Sequence, residues 1–340
     1  MKILISALFN QPIVEKLRTT YDVIVLENDI QVSLSENELI KQLNDVDIFI
    51  TEEDRVTKNV LDNSPKLKAI FSLHGTPVDI DLDTATESGI MVFKTPGRNA
   101  DAVAELTIAL MIMCARKILP SIKCVESGEW AHTPYDWSYF EYRGQELCGK
   151  TLGLVGFGSI GQKVAHRLSG FDMEMLTYDP YVNKDQANRL NVELTSLEDL
   201  LRRSDFVSVH LPVTPQTKGV IGKAEFALMK PTSYFINTAR AWVVEEIDLV
   251  EVLSNNRIAG AGLDVYINEP IGLNYPLIGL DNVVLTPHIG GATHEVVDHH
   301  SEIVFDDIQI LRKGKIPDHL VNPDCLSVFR KRFSDNIFKA

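Results

Sequence analysis

Leu152-Gly153-Leu154-Val155-Gly156-Phe157-Gly158-Ser159-Ile160-Gly161 carries an apolar, strand-like stretch into a helical pattern through three glycines spaced GxGxxG. Glycines are common in turns, so the spacing alone says little; its place between a strand and a helix gives it force. At such a junction the first glycine permits a tight turn, the second lets backbone approach a pyrophosphate, and the third lets helix and strand pack closely. The helix start, from Ser159 and Ile160 onward, then offers unpaired N–H groups and partial positive charge to phosphates. Ile160, Val164, Ala165 and Leu168 fall on one face of that segment, the spacing of an amphipathic helix. Asp179 closes the next strand pattern, 18 residues beyond Gly161, where a carboxylate accepts from both adenosine ribose hydroxyls. Pro180, Tyr181, Val182 and Asn183 follow, with no cation for an extra phosphate, which favours NAD over NADP.

Strand patterns recur downstream at 151–156, 174–179, 206–210, 233–237, 260–265 and 282–286. Upstream, short apolar runs at 1–8, 23–26, 46–50, 67–73 and 90–93 alternate with segments of helical length. Alternation of this kind predicts an α/β fold of parallel strands with helices on both faces. Near Thr95-Pro96-Gly97-Arg98-Asn99 the rhythm stops and a long apolar helix, 101 to about 118, is expected; Pro and Gly there mark a domain crossing. The stretch 130–143 holds Trp130, Tyr135, Trp137, Tyr139, Phe140 and Tyr142, which predicts a buried contact, inside the chain or between subunits. After about Thr293 the pattern is helical again before a polar tail, and that helix is expected to return to the first domain.

With 340 residues, the chain has material for two domains of ~100–200 residues each. Its 45% hydrophobic and 24% charged residues are those of a soluble globular protein. Acidic residues outnumber basic ones 47 to 33, a formal charge of −14, which repels nucleic-acid backbones and anionic membranes. An anionic substrate therefore needs a local cation. Cys114, Cys124, Cys148 and Cys325 show no CxxC spacing and read as reduced thiols of a cytoplasmic protein. The apolar start runs straight into Asn10-Gln11-Pro12 with no small-residue cleavage pattern, so it reads as a strand, not a signal peptide. The longest apolar run, 106–115, is about half of the ~20 residues a membrane span requires.

Reducing a 2-oxo acid takes a hydride donor, a proton donor at the carbonyl oxygen and a cation for the carboxylate. Three residues just beyond strand patterns suit the protein's share, and ligands of open α/β sheets gather at the carboxyl ends of strands. Arg240, in Asn237-Thr238-Ala239-Arg240, has a planar fork that can clamp a carboxylate. His288, in Thr286-Pro287-His288-Ile289-Gly290-Gly291, suits proton transfer near neutrality. Glu269, before Pro270, is a carboxylate of the kind that orients an imidazole and favours its protonated form. Each alone is an ordinary surface, structural or loop residue.

Together with their neighbours these residues resemble the D-isomer-specific 2-hydroxyacid dehydrogenase family. The matching stretches are Val103-Ala104-Glu105-Leu106, the glycine signature, Val209-His210-Leu211-Pro212 with Thr214 and Thr217, Asn237 to Arg240, Gly262-Leu263-Asp264-Val265 with Glu269-Pro270, and Thr286 to Thr293. The resemblance implies that Arg240 binds the substrate carboxylate, His288 is the general acid/base and Glu269 pairs with it. It implies that Asp264 meets the nicotinamide amide and that Leu211, Pro212, Thr217, Thr238, Ala239, Gly290 and Gly291 join the glycine turn in binding NAD. It places backbone at Gly75 and Thr76, beside His74, at the substrate, a small anionic 2-hydroxy or 2-oxo acid. The fold implied is two doubly wound parallel-sheet domains, a Rossmann NAD-binding domain (101–295) inserted into a flavodoxin-like substrate domain (1–100 and 296–340), with a cleft between them. A homodimer through the cofactor domain is expected, with neither nucleic acid, membrane nor metal as partner.

The chain departs from the family pattern in places. Ala241, followed by Trp242, stands where Gly is frequent after the arginine. The loop Ser72-Leu73-His74-Gly75-Thr76-Pro77-Val78 has Pro77 where phosphoglycerate dehydrogenases show Gly. Thr51 and Leu73 stand where those enzymes carry phosphate-binding arginines, and Glu52-Glu53-Asp54 lies beside, which disfavours 3-phosphoglycerate. His74 reads equally as a donor to substrate or as a packed strand-end residue, and Trp137 as dimer packing or as a contribution to the partner's site. His294-Glu295 lacks the second histidine of HExxH, Asp298 standing in its place. An alternative reading is an NAD(H)-sensing, corepressor-like regulatory protein on the same fold. A formate dehydrogenase would pair the histidine with Gln, not Glu269.

Overall fold

The computed structural model describes residues 1–26, 33–333 and 338. By internal contacts the chain divides into two compact units, Met1–Arg98 with Thr293–Ala340, and Asn99–Ala292.

The first unit is built on five parallel strands, β1 (Lys2–Ile5), β2 (Asp22–Val25), β3 (Ile48–Thr51), β4 (Ala69–Ser72) and β5 (Met91–Phe93), in the order β2-β1-β3-β4-β5. This is the flavodoxin-like order. Side chains alternate between faces along each strand, and both faces are covered. Ile3, Ile5, Ile48, Ile50, Phe71 and Phe93 enter one core, whereas Leu4, Phe49, Ile70 and Val92 enter the other. Parallel strands buried on both sides need such continuous apolar runs, which is why the sequence reads as unbroken hydrophobic patches. The late helix His294–Arg312 adds Val304, Ile308 and Leu311 to the first core, as expected of a returning segment. Beyond Arg312 the polar tail is described through Phe333 and holds a further helix, Leu326–Arg332.

The second unit has seven parallel strands: β6 (Thr151–Val155), β7 (Glu174–Tyr178), β8 (Glu193–Leu194), β9 (Phe206–Val209), β10 (Tyr234–Asn237), β11 (Gly260–Leu263) and β12 (Val283–Leu285). Their order is β12-β11-β10-β9-β6-β7-β8, with β6 leading both wings. Val155 pairs with Tyr178 on one side and with Val209 on the other. This is the Rossmann order with one more strand, and its switch point falls between β6 and β9. Again two cores form, Leu152, Leu154 and Ile236 on one face, Val155, Val207 and Phe235 on the other.

Two expectations need correction. The long apolar helix is Ala100–Ala115, not 101–118, and Lys117 is left-handed (φ 49°) before a separate helix, Ile118–Glu126. The cause is tertiary: Gln145 N–H takes the Ala115 carbonyl at 2.8 Å, and Gly144 leaves room for that approach. Of the two places expected for the aromatic contact, inside the chain or between subunits, the first is ruled out; Tyr135, Tyr139 and Phe140 are 98%, 70% and 62% exposed. Among the described residues no helix is long and apolar enough to cross a membrane.

Candidate active site

Strands β10, β11 and β12 are neighbours, and past their carboxyl ends stand Arg240, Glu269 and His288. The Asn237 side chain shapes the first turn. Its Oδ1 accepts from Ala239 N at 3.0 Å and its Nδ2 donates to Arg240 O at 3.0 Å, a side-chain turn that halts the strand and swings Arg240 outward. Arg240 is exposed and donates one Nη1–H to Ala239 O at 2.7 Å. A guanidinium has five N–H groups, so a fork remains for a carboxylate.

The loop carrying His288 wraps a buried anion. Asp264, 1% exposed, accepts from Thr286 Oγ1 (2.6 Å) and Ile289 N (2.9 Å) on Oδ1 and from Gly290 N (2.7 Å) on Oδ2. Backbone N–H groups converging on a carboxylate hold a loop rigidly. Three of its roughly four acceptor positions are thus engaged, leaving one for a ligand amide. His288 sits between these anchors with left-handed backbone, φ 54°. Its Nδ1 lies 2.6 Å from Glu269 Oε2, and the other Glu269 oxygen accepts from Tyr266 N at 2.8 Å. With Nδ1 engaged, Nε2 is the ring nitrogen left for proton transfer. The imidazole and the carboxylate are therefore brought together, and Arg240 stands on the neighbouring strand end but one.

The glycine signature folds into a cradle. Gly156 has φ +100°, and a side chain there would strike His210 O at 2.8 Å, where β6 and β9 part. Gly161 packs onto the turn, since a Cβ would lie 2.5 Å from Gly156 O. Gly158 caps the helix Ser159–Leu168 without a side chain and faces open space. The helix's first N–H groups have no intrahelical partner, so this cradle fits a pyrophosphate. Asp179 Oδ2 accepts from Phe157 N and Oδ1 from Tyr181 N, both at 2.9 Å, tying the turn to the end of β7 with lone pairs left for hydroxyls.

The other expected cofactor residues fall on loops of the same unit. Thr217 closes the loop after β9, donating to Pro212 O at 2.6 Å and accepting from Thr214 N at 2.7 Å, while Leu211 packs on the core. Thr238 pairs its hydroxyl with Thr107 at 2.8 Å, next to Ala239. Gly290 and Gly291 pack against Asp264 and Asn99. His210, to which sequence reasoning gives no role, is half-buried. Among the described residues its Nδ1 is a buried side-chain nitrogen without a hydrogen-bond partner, and burial depresses its pKa to about 4.

In the first unit, His74, Gly75 and Thr76 follow β4. His74 Nε2 lies 3.8 Å from Glu53 Oε1, its carbonyl accepts from Thr95 N at 2.9 Å, Gly75 faces open space, and Thr76 is exposed. Arg98 is engaged by Glu52 and by His300 Nδ1.

Residues 108–290 match the family described as D-isomer specific 2-hydroxyacid dehydrogenase, NAD binding domain. The chain is 42% identical to a glyoxylate reductase of Thermococcus litoralis over 290 residues, 85% of this chain and 87% of that protein. Among solved structures it resembles the TT0316 protein of Thermus thermophilus (TM-score 0.83, 32% identity, 94% of this chain and 100% of the other). It also resembles D-lactate dehydrogenase of Aquifex aeolicus complexed with NAD and lactic acid (TM-score 0.76, 27% identity, 95% and 99% covered).

Proposed function

The chain belongs to the D-isomer specific 2-hydroxyacid dehydrogenase family, and we propose that Arg240, Glu269 and His288 carry its chemistry. It is an NAD-dependent oxidoreductase that moves a hydride to or from C2 of a small 2-hydroxy or 2-oxo acid. Bound NAD(H) supplies or accepts that hydride. Arg240 clamps the substrate carboxylate with its two-pronged fork. His288 Nε2 gives a proton to the C2 oxygen during reduction and takes it back during oxidation. Glu269 holds Nδ1, orients the ring and stabilises the imidazolium.

The observation that carries this reading is the 2.6 Å contact between His288 and Glu269, where the strand leading to Glu269 lies between those leading to His288 and Arg240. Gly156, Gly158, Ser159, Ile160 and Gly161 would hold the pyrophosphate and Asp179 the ribose. Leu211, Pro212, Thr217, Thr238, Ala239, Asp264, Gly290 and Gly291 would line the remainder of the cofactor. The unit Met1–Arg98 with Thr293–Ala340 serves as the substrate domain, and His74, Gly75 and Thr76 meet the acid. Glu52 and Glu53, with Arg98 already paired, argue against a phosphorylated acid. The exposed Trp130, Tyr135, Tyr139 and Phe140 support a homodimer, and the reduced, acidic chain a cytoplasmic place. Relatives named reductases and dehydrogenases favour catalysis over the corepressor alternative.

The test is a panel of neutral and phosphorylated 2-oxo acids assayed by NADH absorbance, with NADPH in parallel. Turnover of a small unphosphorylated 2-oxo acid, far better with NADH, is expected. No consumption of either nicotinamide with any 2-oxo acid refutes the reading.

A further inference from the structure

Tyr266 bonds to groups on both sides of the proposed proton-transfer pair. Its backbone N–H donates to Glu269 Oε1 at 2.8 Å, the carboxylate whose other oxygen meets His288. Its hydroxyl donates to Thr286 O at 2.8 Å, with Leu263 O at 3.2 Å as a second acceptor. Thr286 O is also the acceptor of His288 N–H at 3.0 Å. One residue therefore pins the glutamate through its main chain and the histidine's turn through its side chain.

We infer that Tyr266 is a positioning residue for the His288–Glu269 pair, setting the separation of imidazole and carboxylate through its hydroxyl bond to Thr286. The histidine backbone is left-handed, φ 54°, a conformation that persists only where neighbours impose it. Asp264 holds the loop from Thr286 Oγ1 and from the far side at Ile289 and Gly290, and Tyr266 holds the Thr286 carbonyl. The phenol is suited to the task because it is buried, 7% exposed, with its ring edge-on to Tyr275 at 5.6 Å. Burial, followed by the nearby Asp264 charge, pushes its pKa up to about 12, so it stays a donor across any assay range. Without the hydroxyl, Thr286 O keeps only the short-range bond from His288 N, and the turn can relax away from Glu269.

The inference rests on the reading of His288 and Glu269 as the proton-transfer pair. The test is Tyr266→Phe, which keeps the ring and the main-chain bond to Glu269. Turnover is normalised to NADH-binding sites by titration, so partial unfolding does not register. Loss of one buried hydrogen bond predicts a kcat lower by about three- to tenfold. KM for the 2-oxo acid and Kd for NADH should stay within about twofold, because an interaction made in the reaction step is lost and not one made in binding. In a Glu269→Gln background the same change should cost nothing further, since residues acting as a unit are non-additive. Tyr275→Phe, which removes a neighbouring half-buried hydroxyl bonded to Glu246 at 3.2 Å, should leave kcat intact. Unchanged kcat in Tyr266→Phe, or an equal loss with and without Glu269, overturns the inference. If His288→Ala keeps full activity, the underlying reading fails instead; an inactive His288→Ala beside a fully active Tyr266→Phe sinks the Tyr266 role alone.

Discussion

Two glycines of the cradle, three residues apart, should differ in how the same substitution changes stability while both lose NADH affinity. At Gly161 an alanine Cβ would lie 2.5 Å from the Gly156 carbonyl oxygen. Carbon and oxygen rest no closer than about 3.3 Å, so the helix start must retreat by roughly 0.8 Å. Overpacking of that kind costs about 1–3 kcal/mol, against which alanine's better helix propensity returns at most about 1 kcal/mol. The obstacle is main chain in a turn with φ +100°, not the flexible end of a side chain, so little relaxation is open to it. Gly161→Ala should therefore lower the melting temperature and weaken NADH about tenfold, as donors aimed at the pyrophosphate move out of line. At Gly158 nothing lies within 4 Å of a built Cβ, and φ is an ordinary −72°. Gly158→Ala should leave the melting temperature unchanged or slightly raised, by about 0.4–1 kcal/mol of stability. Its methyl group would nevertheless occupy space beside the helix start, and NADH affinity should fall. Thermal melts and NADH fluorescence titrations on both variants decide the matter. Wild-type NADH affinity in Gly158→Ala would show that the phosphates do not approach this turn.

Other outcomes follow from the trio and from His210 and His300. His288→Ala should reduce turnover by about 10²–10⁴-fold while NADH binds almost as before, which rate measurements beside a binding titration will show. Arg240→Lys keeps the charge but loses the fork, and should raise KM for the oxo acid by about tenfold or more; an unchanged KM would remove Arg240 from the carboxylate. His300, buried with Nε2 on Leu8 O (2.9 Å) and Nδ1 on Arg98 (3.0 Å), is depressed to about 4 by burial, as is His210. Both remain neutral in the fold and gain protons on unfolding near pH ~6.5, so stability is full above that pH and drains as pH falls toward 4. Urea unfolding at pH 7 and pH 5 should differ by up to about 4 kcal/mol, with His300→Gln shrinking the difference; equal midpoints would contradict the assignment.

Much of this architecture is readable from local pattern. Eleven strands announce themselves because parallel strands covered on both faces are buried throughout and so mostly apolar, as in Ile48–Thr51 or Phe206–Val209. Glu193–Leu194 escapes notice because a two-residue edge strand has no period to detect. The end of the helix at Ala115 is invisible for a different reason, its cap coming from Gln145, thirty residues on. At the site, Arg240, Glu269 and His288 can be picked out as chemically apt residues beyond strand ends. Their supports cannot. That Asp264 gathers the Thr286–Gly290 loop, and that Tyr266 bonds Thr286, depends on how two loops from neighbouring strands fold over each other.

The positive φ of His288 sets an unusual condition on how such a chain can change over time. Glycine adopts that angle at no steric cost, whereas a residue with a Cβ gives up roughly 1–2 kcal/mol there. A glycine here would relax the backbone but lose the imidazole and its bond to Glu269. With His288 as the proposed acid–base group, the imidazole in this turn trades backbone ease for chemistry.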